Sequence, residues 1–169
     1  VLVTPTIPVN LMMNYRVPTF EGYDAVYPVR VSTLLSSLNS AIANKTPLGR
    51  YATIDNRDSH LLDLINVKYR VVEVNNGQYL SVKTNPRYKE VFKDKNTSIF
   101  LNLDFMPRAK MYYDWKILGE GETLSTLVDK TFEYKNILLL EELPVINRSK
   151  GIEVKNKVEL YFASNAKSR

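Results

Sequence analysis

The chain has no cysteine, a single histidine and no apolar run approaching a membrane span. The first absence excludes disulfides, thiolate catalysis and cysteine-ligated zinc or iron–sulfur centres. It leaves the redox compartment open. The second reduces any Ser-His-Asp reading to His60 with Ser59 or another serine and with Asp58 or Asp63, and adjacency in sequence is not triad geometry. No G-x-S-x-G elbow accompanies them. A bilayer-crossing helix needs about 20 consecutive apolar residues, and no segment supplies them. The opening "VLVTPTIPVN" lacks both the basic start and the apolar centre of a signal peptide, so an excised or processed piece of a longer polypeptide is expected. Internal repeats, low-complexity tracts and EF-hand spacing are missing as well.

What is present is an ordinary globular composition, 44% hydrophobic and 24% charged over 169 residues. Eleven tyrosines and frequent Val and Ile favour strands. Pro5, Pro8, Pro18 and Pro28 make the first thirty residues an extended, looping segment. Leu34, Leu35, Leu38 and Ile42 recur at helical spacing and predict a helix over 31–44, with Ser32 as its N-cap. Residues 45–57 read as a loop with one short strand. Leu61, Leu62 and Ile65 predict a short helix capped by Asp58 or Ser59, leaving His60 on an exposed first turn and Asn66 as a left-handed stop. "VKYRVVEV" and "QYLSVKT" flank Asn76-Gly77 and predict a type I′ hairpin. Further strands are expected at 97–104, 108–118, 135–142 (a buried one) and 156–165. A second helix follows "GEGET", with Leu124, Leu127, Val128 and Phe132 turned inward. Strands in runs with two or three short helices give an α+β class with a mostly antiparallel sheet.

The net charge of +5 is uneven. Residues 145–169 hold six basic side chains against Glu153 and Glu159, which is +4. A second cluster comprises Lys83, Arg87, Lys89, Lys93 and Lys95, interleaved with Tyr88 and Phe92. Positive charge with aromatics is the composition of single-stranded nucleic-acid grooves. No recognition motif accompanies it, so a solvated lysine-rich connection with inward aromatics is the preferred reading, and nucleic acid is not an expected partner. Asp55 with Asp58, and Glu141 with Glu142, are carboxylate pairs of the kind glycosidases use, yet chains of this size contain such pairs without that chemistry. The G-x-G of "GEGET" carries Glu120 and Glu122 where a phosphate would sit, so it reads as a turn. Asn44, Asn96 and Asn147 begin Asn-x-Ser/Thr triplets, which matter only in a eukaryotic secretory setting. No catalytic residue, metal site or cofactor is assigned.

Four segments in order, "NYRVPTFEGYDAVYPVR", "LLDLINVKYRVV", "VFKDKNTSIFLNLDFMPRAKMYYDW" and "KNILLLEE", resemble the soluble C-terminal part of YfhO-like bacterial multi-spanning membrane proteins. The shared pieces are Gly22-Tyr23-Asp24, Leu64 to Tyr69, Pro107-Arg108-Ala109 and Ile137 to Glu141. The resemblance implies an α+β domain over 1–145, on the extracytoplasmic side of a bacterial cell membrane and attached to transmembrane helices of the same polypeptide. Residues 146–169 would be a basic linker and final strand, either the start of a truncated second β-rich unit or an edge strand of the first. It further implies a parent resembling glycosyltransferases that use polyprenyl-phosphate-linked sugars to modify cell-surface polymers. In such a parent this piece would be a non-catalytic accessory or acceptor-binding domain whose partner is a cell-surface glycopolymer. Gly22, Tyr23, Asp24, Arg108 and Trp115 are then the candidate binding residues. Their structural alternatives are a turn glycine, packing aromatics and a locally paired arginine. The rival reading is a free-standing module that binds a polyanion, cell-wall polymer or nucleic acid, through the basic patches.

Overall fold

The computed structural model describes residues 1–2, 10–19, 21–23, 27–39, 51–52 and 54–143. The expected strand at 156–165, the domain boundary near 145 and the basic tail lie outside them.

The α+β class holds. A 3-10 turn at Leu11–Tyr15 leads to β1 (Gly22–Tyr23) and α1 (Val29–Ser36), then β2 (Tyr51–Ala52), α2 (Leu61–Leu64) and β3 (Tyr69–Glu73). There follow α3 (Gln78–Thr84), β4 (Tyr88–Lys93), β5 (Thr97–Asn102), β6 (Asp114–Ile117), α4 (Glu120–Val128) and β7 (Ile137–Leu140). The principal sheet is antiparallel in the order β3-β5-β4. β1 and β2 form a small antiparallel pair. β6 and β7 pair in parallel, with α4 as the crossover that parallel strands require.

Two apolar clusters carry the packing. One joins Leu2, Leu35, Leu38, Ile54, Leu61, Leu62 and Val67. The other lies beneath α3, where Tyr79 and Val82 meet Val72, Tyr88 and Phe100 of the sheet. Leu2 also closes the free side of β3: its N–H donates to the Tyr69 carbonyl and its carbonyl accepts from Val71, both at 2.9 Å.

Several local expectations give way. The hairpin at Asn76-Gly77 does not form. Gly77 has φ −56° and ψ −20°, a right-handed conformation. Asn76 Oδ1 accepts from the Gln78 N–H at 3.0 Å, and its carbonyl accepts from Tyr79. The turn therefore opens a helix, as short Asx side chains often do. Tyr79 and Val82, three apart, are the buried positions of 78–84, whereas strand alternation would have buried Leu80, which is exposed. The partner of β3 is β5, and the real hairpin is β4–β5. Asp94 Oδ1 holds its turn by accepting from the Asn96 and Thr97 N–H groups. Residues 88–93, expected as a solvated connection, are thus a strand, with Tyr88 buried and Phe92 exposed.

Other corrections are smaller. α1 begins at Val29 after Pro28, so Ser32 lies inside the helix and is buried rather than capping it. Residues 40–44 of the expected helix lie outside the described residues. In the expected cap of α2, Ser59 Oγ does accept from the Leu61 N–H at 3.2 Å, and Asn66 is left-handed at φ 60°. Strand geometry over 108–118 is confined to Asp114–Ile117. Val128 of α4 is exposed, Phe132 lies beyond the helix, and β7 is half-buried, with Leu138 exposed.

Gly77 distinguishes the helix from the hairpin experimentally. A Cβ there meets nothing within 4 Å, and its φ is negative. Gly77→Ala should therefore raise stability by about 0.4–1 kcal/mol in thermal or urea melts. A type I′ turn, with φ positive at that position, would make the same change destabilising.

Candidate functional site

An acid inside the apolar run "LLDLI" organises the densest polar cluster among the described residues. Asp63 sits in α2 between Leu62 and Leu64, and its residue exposure is 2%. The helix face that buries Leu61 and Leu62 carries the carboxylate inward with them. Charge placed there must be matched or the fold loses several kcal/mol. Arg87, in the turn before β4, pairs with Asp63 Oδ1 through Nη2. Asn102 at the end of β5 donates to the same oxygen at 2.7 Å, and the Tyr134 hydroxyl donates to Oδ2 at 2.8 Å. Arg87 also donates to the Asp58 and Ser59 carbonyls at 2.9 and 3.2 Å, and from Nε to Asn102 Oδ1 at 3.2 Å.

Two more buried arginines extend this layer. Arg57 pairs with Glu21 at 2.9 Å, and Arg70 on β3 pairs with Asp58 at 2.8 Å. The Arg70 guanidinium also lies 5.5 Å from the Tyr88 ring centroid. Burial pushes the Arg57 pKa down, with the Glu21 charge opposing that shift. His60, expected on an exposed turn, is half-buried instead. Its Nε2 donates to the Leu127 carbonyl at 2.7 Å, and its ring lies 5.5 Å from that of Tyr134. The described residues contain no buried side-chain nitrogen or oxygen without a partner and no acidic or histidine cluster with metal-holding geometry. The arrangement is a satisfied structural network; each acid in it already holds a cation.

The residues singled out from sequence are dispersed. Gly22 lies in β1 opposite Ala52, where a Cβ would come within 2.7 Å of Asn10 Oδ1, the tip of a side chain. Tyr23 pairs with Tyr51 through the backbone, and Asp24 lies outside the described residues. Arg108 is exposed at the lip of an open hollow of about 350 Å³ whose walls include Thr19, Leu64, Asn66 and Pro107. Gly22 and Trp115 do not line it; Trp115 is half-buried in β6, opposite Leu138 of β7.

The 83–95 cluster is divided too. Arg87 is turned inward to Asp63. Lys83 and Lys93 converge on Tyr79, their Nζ atoms 5.5 and 4.8 Å from its ring centroid, and Lys93 also donates to its hydroxyl at 2.9 Å. Lys89 pairs in register with Leu101, on the opposite sheet face from the Glu90–Phe100 pair. Lys95 is exposed in the hairpin turn. Sequence reasoning weighed Asp63 only as a triad member and passed over Asn102 and Tyr134. An ionisable residue within an apolar helical stretch was the available signal for the first; nothing local marks the other two.

Comparisons with protein-family models, curated proteins and solved structures find no significant match.

Removing Asp63 leaves the Arg87 guanidinium without its buried counter-ion, so Asp63→Ala should cost about 3–5 kcal/mol in urea melts. Tyr134→Phe should cost about 1–3 kcal/mol, because one carboxylate oxygen loses its donor. Burial and the adjacent Asp63 raise the Tyr134 pKa. The folded state therefore favours the neutral phenol. That contribution is complete below the ordinary tyrosine value of about 10 and is lost as pH rises above it. Melts between pH 9 and 11 should show a steeper decline for the native chain than for Tyr134→Phe.

Proposed function

We propose that this chain is a non-catalytic accessory domain that binds or steadies a glycopolymer acceptor. In this reading it stands on the extracytoplasmic side of a bacterial polytopic membrane protein resembling the YfhO-like glycosyltransferases. The observation that carries the non-catalytic half is the commitment of the acids. Asp63 and Glu21 each hold an arginine in a pair whose two side chains are largely buried, and Asp63 also accepts from Asn102 and Tyr134. A general acid or base needs a carboxyl free to exchange a proton with substrate, and these are occupied in holding the fold together.

The acceptor-binding half is supported by the hollow at Arg108. A guanidinium at its lip, with Thr19 and Asn66 on its walls, suits the hydroxyls and acidic groups of a surface polysaccharide. The ordered resemblance of residues 10–142 supplies the membrane setting. The polyanion-binding alternative would rest on Lys83, Lys89, Lys93 and Lys95 without Arg87, which is engaged with Asp63.

Calorimetric titration of the purified chain with an acidic cell-wall polymer tests the reading. Arg108→Gln should weaken binding about fivefold, the factor that corresponds to about 1 kcal/mol for an exposed ion pair. Sugar transfer or glycoside hydrolysis by the chain, abolished by Asp55→Asn or Glu141→Gln, would overturn the non-catalytic assignment. Binding insensitive to Arg108 but steeply salt-dependent and lost on removing the four lysines would favour the polyanion module.

A further inference from the structure

We propose that the cleft between α1 and α4 is a binding site for a single-chain amphiphile with an anionic head, such as a medium-chain fatty acid. The cleft encloses about 420 Å³, within the range of about 300–1,000 Å³ typical of small-ligand pockets. Val29 and Leu34 of α1 face Leu124 and Leu127 of α4 across it. Thr33 and Thr123 also line it, but both hydroxyls are turned back onto their own helices. Thr33 Oγ1 donates to the Val29 carbonyl at 2.8 Å, and Thr123 Oγ1 donates to the Gly119 carbonyl at 3.1 Å. With their donors engaged, these threonines offer the cleft mainly methyl groups, and the walls suit an alkyl chain.

The lip of the cleft is charged. Arg30 Nη1 reaches both oxygens of Glu141, at 3.1 and 2.9 Å, and the two side chains are 68% and 35% exposed. An ion pair that open to water is worth little, so another carboxylate can replace Glu141 at small cost. Arg30 stands in the first turn of α1 beside Val29. A head group bound to it keeps the attached chain against the apolar wall. Arg30 is the more exposed of the two charges, which favours an anionic head over a cationic one directed at Glu141.

Decanoate, below its micellar concentration, is the probe, titrated into the 169-residue chain by calorimetry or NMR. Saturable one-site binding is expected, with octanoate weaker by roughly fifteenfold, as about 0.8 kcal/mol for each of two methylenes requires. Gly121 lines the cleft, and a Cβ there meets nothing within 4 Å. Gly121→Leu should therefore fold normally, fill the cleft and abolish binding; Leu124→Gln serves the same purpose if it does not. Arg30→Gln should weaken decanoate about fivefold, while Glu141→Gln, which removes the competing carboxylate, should tighten it by a similar factor. The proposal is overturned by an absence of saturable binding, by equal affinity for decanoate and decanol, or by binding that survives a folded Gly121→Leu. Binding to anionic lipid vesicles without binding of decanoate also overturns it, since that places the interaction at a membrane surface and not in the cleft.

Discussion

The carboxylate of Asp63 is the constraint to which the rest of the described structure is fitted. It is taken out of water by the helix face that carries Leu61 and Leu62 into the first apolar cluster. Once buried, it needs a cation and enough donors to offset lost hydration, and these come from three distant points of the chain: Arg87, Asn102 and Tyr134. The Met106 N–H donates to the Asp63 backbone carbonyl at 3.1 Å, and the Asn102 amide donates to the Val67 carbonyl at 3.0 Å. The network therefore joins the helical cluster to the sheet-and-α3 cluster. Apolar contact alone would allow those two bodies to slide; a directional set of bonds to one carboxylate fixes their alignment.

That constraint also divides the polar surface into what is occupied and what is available. Arg87, which from sequence belongs to a basic cluster, is turned inward to Asp63, and Arg57 and Arg70 are themselves buried and paired with Glu21 and Asp58. Glu90 accepts from Ser98 and Tyr79, which hold its carboxyl below the usual range, and Asp94 is lowered likewise by the backbone groups of its turn. Concave places among the described residues include the hollow at Arg108 and the cleft between α1 and α4. Both are open, and each has an arginine at its edge.

The parts of the fold legible in the sequence were those whose local pattern agreed with their tertiary role. β3 and β5 bury alternate residues, and α2 ends at the left-handed Asn66 that its position suggested. Where local pattern and tertiary role diverged, the reading failed. Asn76-Gly77 fits a hairpin turn and a helix start equally well, and only the burial of Tyr79 and Val82 against Phe100 decides between them. β4 was hidden because a strand at the edge of a sheet keeps its lysines outside, which on paper resembles a solvated loop. Gly22, Arg108 and Trp115 could be named from sequence, but their separation could not. The pairing of Asp63 with a tyrosine 71 positions away has no local signature at all.

The irregularity in β4 has a bearing on how the molecule behaves in a crowd. Glu90 pairs with Phe100, but the next paired residue is Phe92 with Ile99, so Val91 is a supernumerary residue on the outer strand of the sheet. A strand from a second copy that aligns with Tyr88–Glu90 is one residue out of step with Phe92–Lys93. Continued edge-to-edge growth is interrupted at the point where Val91 and Phe92 expose apolar surface. The bulge thus works against a continuous ladder of copies joined through β4.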